Sequence, residues 1–97
     1  MDALQLISEP HRREILRLVW SEELAAGDLA AHFDISFGAV SQHLRLLRDG
    51  GLVTVRADGN FRRYRAHTDR LAPFAPMLQA MWGGFLEDLA ARAEAAE

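Results

Sequence analysis

Apolar residues along most of this chain recur at helical spacing, and the stretch SFGAVSQHLRLLRDGGLV, residues 36–53, shows the pattern best. Turned at about 100° per residue, Val40, Leu44 and Leu47 fall within a narrow arc. Opposite them lie Gly38, Ser41, Gln42, Arg45 and Asp49, with Arg48 flanking. Ser36 suits an N-cap and Gly50-Gly51 supply a stop, so the pattern predicts a helix over 36–49. Upstream, Leu4 and Ile7 share one side of a short helix over 2–7. Ser8 and Pro10 open a second helix that runs to about Trp20, with Ile15, Leu16, Leu18 and Val19 as its stripe. Residues 21–26 read as a connection, 27–33 as a short helix burying Leu29 and Phe33, and 34–36 as a tight turn.

Downstream the period changes from helix to strand. LVTVRA alternates, Asp58-Gly59-Asn60 is a hairpin signal, and FRRYRAH is the returning strand. Alternation sets Arg56 opposite Val53 and Val55. It puts Arg63 and Arg65 on one face, Arg62 and Tyr64 on the other, and predicts that Tyr64 is packed. A short turn near 69–72 and a long, mostly apolar helix from about Pro76 to Ala93 close the chain. This order is the plan of a winged helix-turn-helix, a mainly α (α+β) fold in a single domain over 1–97. The recognition helix falls at about 36–49 and a two-stranded β-wing at about 52–67.

Composition narrows the chemistry. With 97 residues and 49% of them apolar, the chain has enough material for one modest core and is not a disordered segment. The absence of cysteine rules out disulfides, thiolate metal sites and thiol redox sensing. No apolar run reaches the roughly 18 residues of a membrane span and no signal peptide opens the chain, so a cytoplasmic protein is expected. The net charge of −3 argues against a nucleic-acid partner until it is resolved along the chain. Residues 36–70 carry seven Arg against three acids, whereas 1–35 carry three Arg against seven acids and 71–97 one Arg against four. A basic middle between acidic ends is a localised footprint for phosphate.

The outer face of the 36–49 helix carries the residue types that read base edges in a major groove, Ser, Gln and Arg. Small Gly38 permits close approach, and Phe37 is placed to touch a thymine methyl. A solvated polar face is the plainer alternative, and the hairpin weighs against it. Arg56, Arg62, Arg63 and Arg65 surround its turn, as in a wing that lies along phosphates or enters a minor groove.

Three segments together, LISEPHRREILRLV, DLAAHFDISFGAVSQHLRLLRDGGLV and VRADGNFRRYRAH, resemble the ArsR/SmtB family of bacterial winged-helix repressors over roughly residues 3–90. The resemblance implies a homodimer that binds a palindromic operator in double-stranded DNA. It also implies contacts from Ser41, Gln42 and Arg45, supported by Phe37, Gly38 and His43. The wing residues Arg56, Asn60, Arg62 and Arg63 would meet the flanking groove.

The family's metal sites are not matched. The stretch corresponding to its E-L-C-V-C-D-L motif is Glu23-Leu24-Ala25-Ala26-Gly27-Asp28-Leu29, with both cysteine positions empty, and the last helix contains no histidine. His11, His32, His43 and His67 fall on separate elements, so no metal site and no cofactor is expected. On the last helix Leu78, Trp82, Phe85 and Leu89 recur at i, i+4, i+7 and i+11, alongside Phe74, Met77 and Met81. The family reading makes this stripe a dimer interface, together with Leu4 and Ile7, so that dimerisation falls to about 1–7 and 74–93. A small apolar effector in the same region is a second use for the stripe. Gly83-Gly84 in mid-helix is expected to mark a kink, a close helix contact or room for a ligand. Two other classes stay open at this stage. One is a protein-interaction module, favoured by overall acidity. The other is an enzyme, disfavoured because Ser41 and His43 point to different sides of one helix and no phosphate loop accompanies them.

Overall fold

The computed structural model describes residues 1–96. Helix α1 spans Ala3–Ser8 and is closed at its start by a reciprocal pair, Asp2 accepting from the Gln5 N–H and Gln5 from the Asp2 N–H. Helix α2 spans Pro10–Leu18. Its cap is Glu9, whose carboxylate accepts from the Arg12 N–H, and not Ser8, whose hydroxyl donates back to the Leu4 carbonyl. Proline at the first helical position then costs no hydrogen bond, because that N–H has no partner in any helix.

Residues 24–25, expected to be connection, form a short strand β1 (Leu24–Ala25). Helix α3 (Ala26–Ala30) follows, and α4 (Phe37–Asp49) starts at the predicted cap, where Ser36 Oγ accepts from the Ala39 N–H at 3.1 Å. Strands β2 (Val53–Asp58) and β3 (Phe61–Ala66) make the predicted hairpin. β1 pairs with β3, Leu24 against Tyr64, so the wing is the outer part of a three-stranded antiparallel sheet in the order β1-β3-β2. Two residues of alternating sequence are too few to be read as a strand; only the partner edge reveals it.

The core lies where α1, α2 and α4 meet the base of this sheet. Leu6, Ile7, Ile15, Leu16, Leu29, Val40, Leu44, Leu47 and Leu52 are fully or almost fully buried there. At roughly 1.5–3 kcal/mol for each large aliphatic side chain removed from water, the three α4 residues anchor that helix firmly. Two backbone bonds stitch the sheet to the helices: the Ala66 N–H donates to the Val19 carbonyl and the His67 N–H to the Leu52 carbonyl, both at 2.9 Å. Tyr64 is half-buried against this core, as alternation predicts.

The end of the chain departs from expectation. The expected short turn near 69–72 is α5 (Thr68–Leu71) followed by a 3-10 turn (Ala72–Phe74), and the expected continuous helix is divided into α6 (Ala75–Met81) and α7 (Phe85–Ala96). The break between α6 and α7 is Gly83-Gly84, with φ of +59° and +88°. That left-handed backbone is open to glycine and unfavourable for other residues. A Cβ at Gly83 would meet nothing within 4 Å and one at Gly84 only the Gln79 side chain at 3.7 Å, so within this chain these glycines serve the change of direction and not a close helix contact. Gln79 completes the corner, its side-chain oxygen accepting from the N–H groups of Leu86 and Glu87 at the start of α7.

The expected interface stripe is divided as well. Ile7 and Leu78 are completely buried within the chain itself and belong to its own interior. Leu4 and Met81 are 52% and 54% exposed, while Phe74, Met77, Trp82, Phe85 and Leu89 are partly covered. Trp82 packs edge-on against Trp20 and Phe85, and the Arg17 guanidinium lies over the Phe85 ring, which holds the start of α7 beside α2.

Candidate nucleic-acid interface

Helices α3 and α4, joined by the turn at residues 31–36, present one face of α4 to solvent because its opposite face is fixed in the core. On that outer face Gln42, Arg45 and Gly38 are exposed and Ser41 is half-exposed, as the helical periodicity predicts. Phe37 at the helix start is 58% exposed, a high value for a phenyl ring. Arg45 makes no ion pair or hydrogen bond among the described residues, whereas Arg48 lies 3.5 Å from Asp49.

His43 lies elsewhere. Its ring turns inward, stacked on His11 with centroids 5.6 Å apart, and its Nδ1 accepts from Arg12 Nη1 at 3.3 Å. The expected supporting role of His43 at the outer face therefore does not match its position, which is on the flank packed against the start of α2. Helical angles alone place it between the two faces. What draws it inward is Arg12, only 8% exposed and anchored through Nε to the Leu6 carbonyl at 2.7 Å.

Glu9 completes the group, with Oε1 at 2.8 Å from His11 Nδ1 and Oε2 at 3.8 Å from His43 Nδ1. Burial pushes the Glu9 carboxyl up. Hydrogen bonds from the Arg12 N–H and from His11, with the nearby His43, outweigh that and hold it at about 2. Burial pushes His43 below the ordinary imidazole value against the pull of Glu9. Two histidines expected on separate elements are thus brought together, a convergence that distance along the chain conceals.

The wing separates its arginines by partner. Arg56 holds Glu23 by a two-pronged ion pair at 3.0–3.2 Å, and Arg63 holds Asp58 at 2.8 Å. Their hydrogen bonds keep both carboxylates below the usual range. These two arginines sit opposite each other in the ladder, so the acids relieve a like-charge contact. Arg62 and Arg65 are exposed and have no ion pair among the described residues. The family resemblance puts Arg56 and Arg63 in the interface and leaves Arg65 out. Glu23, thirty-three residues from Arg56, gives no local signal of the pairing.

Between the wing and α4 runs a cleft lined by Gly27, Phe37, Asn60, Phe61, Arg62 and Tyr64. Asn60 at the turn and Arg62 beside it thus share one surface with the start of α4. Phe61 is 61% exposed at the same cleft, an aromatic that the strand pattern treats as an ordinary strand residue.

A buried helix flank, an exposed Gln/Arg flank opposite and an adjoining basic hairpin define a winged helix-turn-helix DNA-binding domain of a transcriptional regulator. Residues 9–55 match the model of the bacterial regulatory proteins of the arsR family. The chain is 36% identical over 67 residues to the transcriptional repressor SdpR of Bacillus subtilis, covering 69% of this chain and 74% of that one. It is 41% identical over 68 residues to the arsenical resistance operon repressor of Staphylococcus xylosus, covering 70% of this chain and 65% of the relative. Among solved structures, one described as "Possible transcriptional regulator for arsenical resistance" superimposes with a TM-score of 0.72 at 42% identity, over 95% of this chain and 96% of that one. The chain belongs to the ArsR family. No helix among the described residues is long and apolar enough to cross a membrane.

Proposed function

We propose that this chain is a homodimeric repressor, acting in the cytoplasm, that binds a palindromic operator and has no catalytic role. The observation that carries the reading is the outer face of α4. Phe37, Gln42 and Arg45 are held in place by a buried opposite face and make no side-chain hydrogen bond or ion pair among the described residues. Ser41, Gln42 and Arg45 are assigned to the major groove, with Phe37 and Gly38 at close approach. Arg62, Asn60 and Arg65 are assigned to the flanking backbone, and Arg56 and Arg63 contribute after exchanging Glu23 and Asp58 for phosphate. The names of SdpR and of the S. xylosus protein support repression.

Exposed Leu4 and Met81, with partly covered Phe74, Met77, Trp82, Phe85 and Leu89, supply the apolar surface for a second copy. Two symmetric recognition helices then meet half-sites about 10 base pairs apart on one side of the duplex. Without cysteine, control by soft metal ions through thiolates is excluded.

Footprinting on the DNA upstream of this chain's own coding sequence is the test. Protection of an inverted repeat supports the reading. Equal affinity for that DNA and for random duplex contradicts sequence-specific reading, and binding to neither supports a protein-interaction module instead. A small apolar effector finds one concave surface, an open cleft of about 330 Å³ between α6 and α7 lined by Ala75, Pro76, Gln79, Leu86, Glu87 and Ala90. An effector there is expected to raise Tm and to weaken the footprint in the same titration.

A further inference from the structure

We propose that Glu9, His11 and His43 form a binding site for a divalent cation of the zinc class, joining the start of α2 to the recognition helix α4. One ligand atom from each residue can be chosen so that all three lie within 4.8 Å of one another. Two imidazoles and a carboxylate are the donor set of open zinc sites, in which three protein ligands leave a fourth position for water. Imidazole also suits nickel and copper. All three side chains are partly exposed, which gives a cation a path in and leaves room for that water.

The groups around the site prepare the ligands. Glu9 Oε2 accepts from the Arg12 N–H at 2.8 Å, so the backbone fixes the carboxylate while Oε1 faces His11. Hydrogen bonds favour the carboxylate form of Glu9 and burial disfavours protonation of His43, and these are the forms a cation requires. The two imidazoles are stacked with planes 23° apart, so their in-plane lone pairs do not converge as they stand, and binding requires one ring to rotate.

One neighbour opposes the cation. The Arg12 guanidinium now donates to His43 Nδ1, and binding removes that bond. Arg12 keeps its bonds to the Leu6 and Gln5 carbonyls, so it is not left unpaired, but its positive charge weakens the site relative to one without it. The site sits on the flank of α4 away from the DNA-reading residues. Occupancy therefore acts on DNA through the position of α4. That coupling rests on the function proposed above, whereas cation binding does not.

The experiment is a titration of the full chain with zinc chloride, without DNA, followed by the imidazole nitrogen resonances of its four histidines. His11 and His43 are expected to shift together and saturate at one equivalent per chain, while His32 and His67 stay unchanged. His11→Ala is expected to lower the affinity at least tenfold with the fold intact by circular dichroism. Arg12→Gln, where it folds, is expected to tighten binding. The proposal is overturned if no histidine responds up to millimolar zinc, if only His32 or His67 responds, or if His11→Ala binds as tightly as the parent. In a second arm, operator affinity is measured with and without saturating zinc. A change in the parent that His11→Ala abolishes supports the coupling, and identical affinities overturn it.

Discussion

Gly38 sits in the first turn of α4, where an added Cβ would meet only Ser36 Oγ at 3.9 Å and φ is unremarkable. Nothing within the chain requires glycine there, and the proposed close approach to DNA gives the missing side chain a use. Gly38→Ala should stabilise the domain by about 0.5–1 kcal/mol through helix propensity while weakening DNA binding. Thermal melting and fluorescence anisotropy on the same protein check both signs. In the wing, Arg62→Ala with Arg65→Ala should lower affinity for all duplexes. It should also reduce the slope of log K against log salt by about 0.9 for each phosphate that is no longer neutralised. Arg56→Ala should change the slope less, because its guanidinium is already held by Glu23. At this scale the sequence is legible only where the residue type and the face suffice. Gln42 and Arg45 lie where periodicity puts them, whereas Phe37, three residues before Val40, falls near the apolar arc and is nonetheless exposed. The pairing of Arg56 with Glu23 and of His43 with Arg12 depends on contacts between distant segments, which no local pattern encodes.

Among the elements, α4 and the hairpin are the most legible, because a strong cap, a three-residue apolar arc and a turn signal all agree on them. Leu44→Ala should cost about 2–5 kcal/mol in denaturant unfolding, as expected for a fully buried core leucine. The C-terminal segment is the least legible. Its apolar spacing continues in phase across Gly83-Gly84, so periodicity predicts one helix, while the glycines adopt left-handed φ and divide it. That choice is settled by the packing of Trp82 on Trp20 and by the Gln79 side chain capping α7. Gln79→Ala should therefore destabilise α7 by roughly 1 kcal/mol, the usual value of an N-terminal cap, visible as earlier hydrogen exchange at Leu86 and Glu87.

For the whole molecule, separation of charge along the chain explains how an acidic protein carries a DNA-binding surface. The basic 36–70 segment forms α4 and the wing, and part of its charge is neutralised by Glu23 and Asp58. The dimer reading gains from Leu4 and Met81 and loses Ile7 and Leu78, which the chain buries by itself. Periodicity gives the apolar face of a helix but not whether its own chain or a second copy covers it. Sedimentation should show a dimer at micromolar concentration, and Leu4→Asp with Met81→Asp should shift it toward monomer with unchanged helix content.

The most direct measurement is the affinity of the parent and of Arg45→Ala for the chain's own upstream DNA and for a scrambled duplex, at one fixed salt concentration. Reading of bases by α4 predicts that Arg45→Ala loses about 1–3 kcal/mol on the upstream DNA and much less on the scrambled one. Equal losses on both duplexes, or none on either, would contradict it.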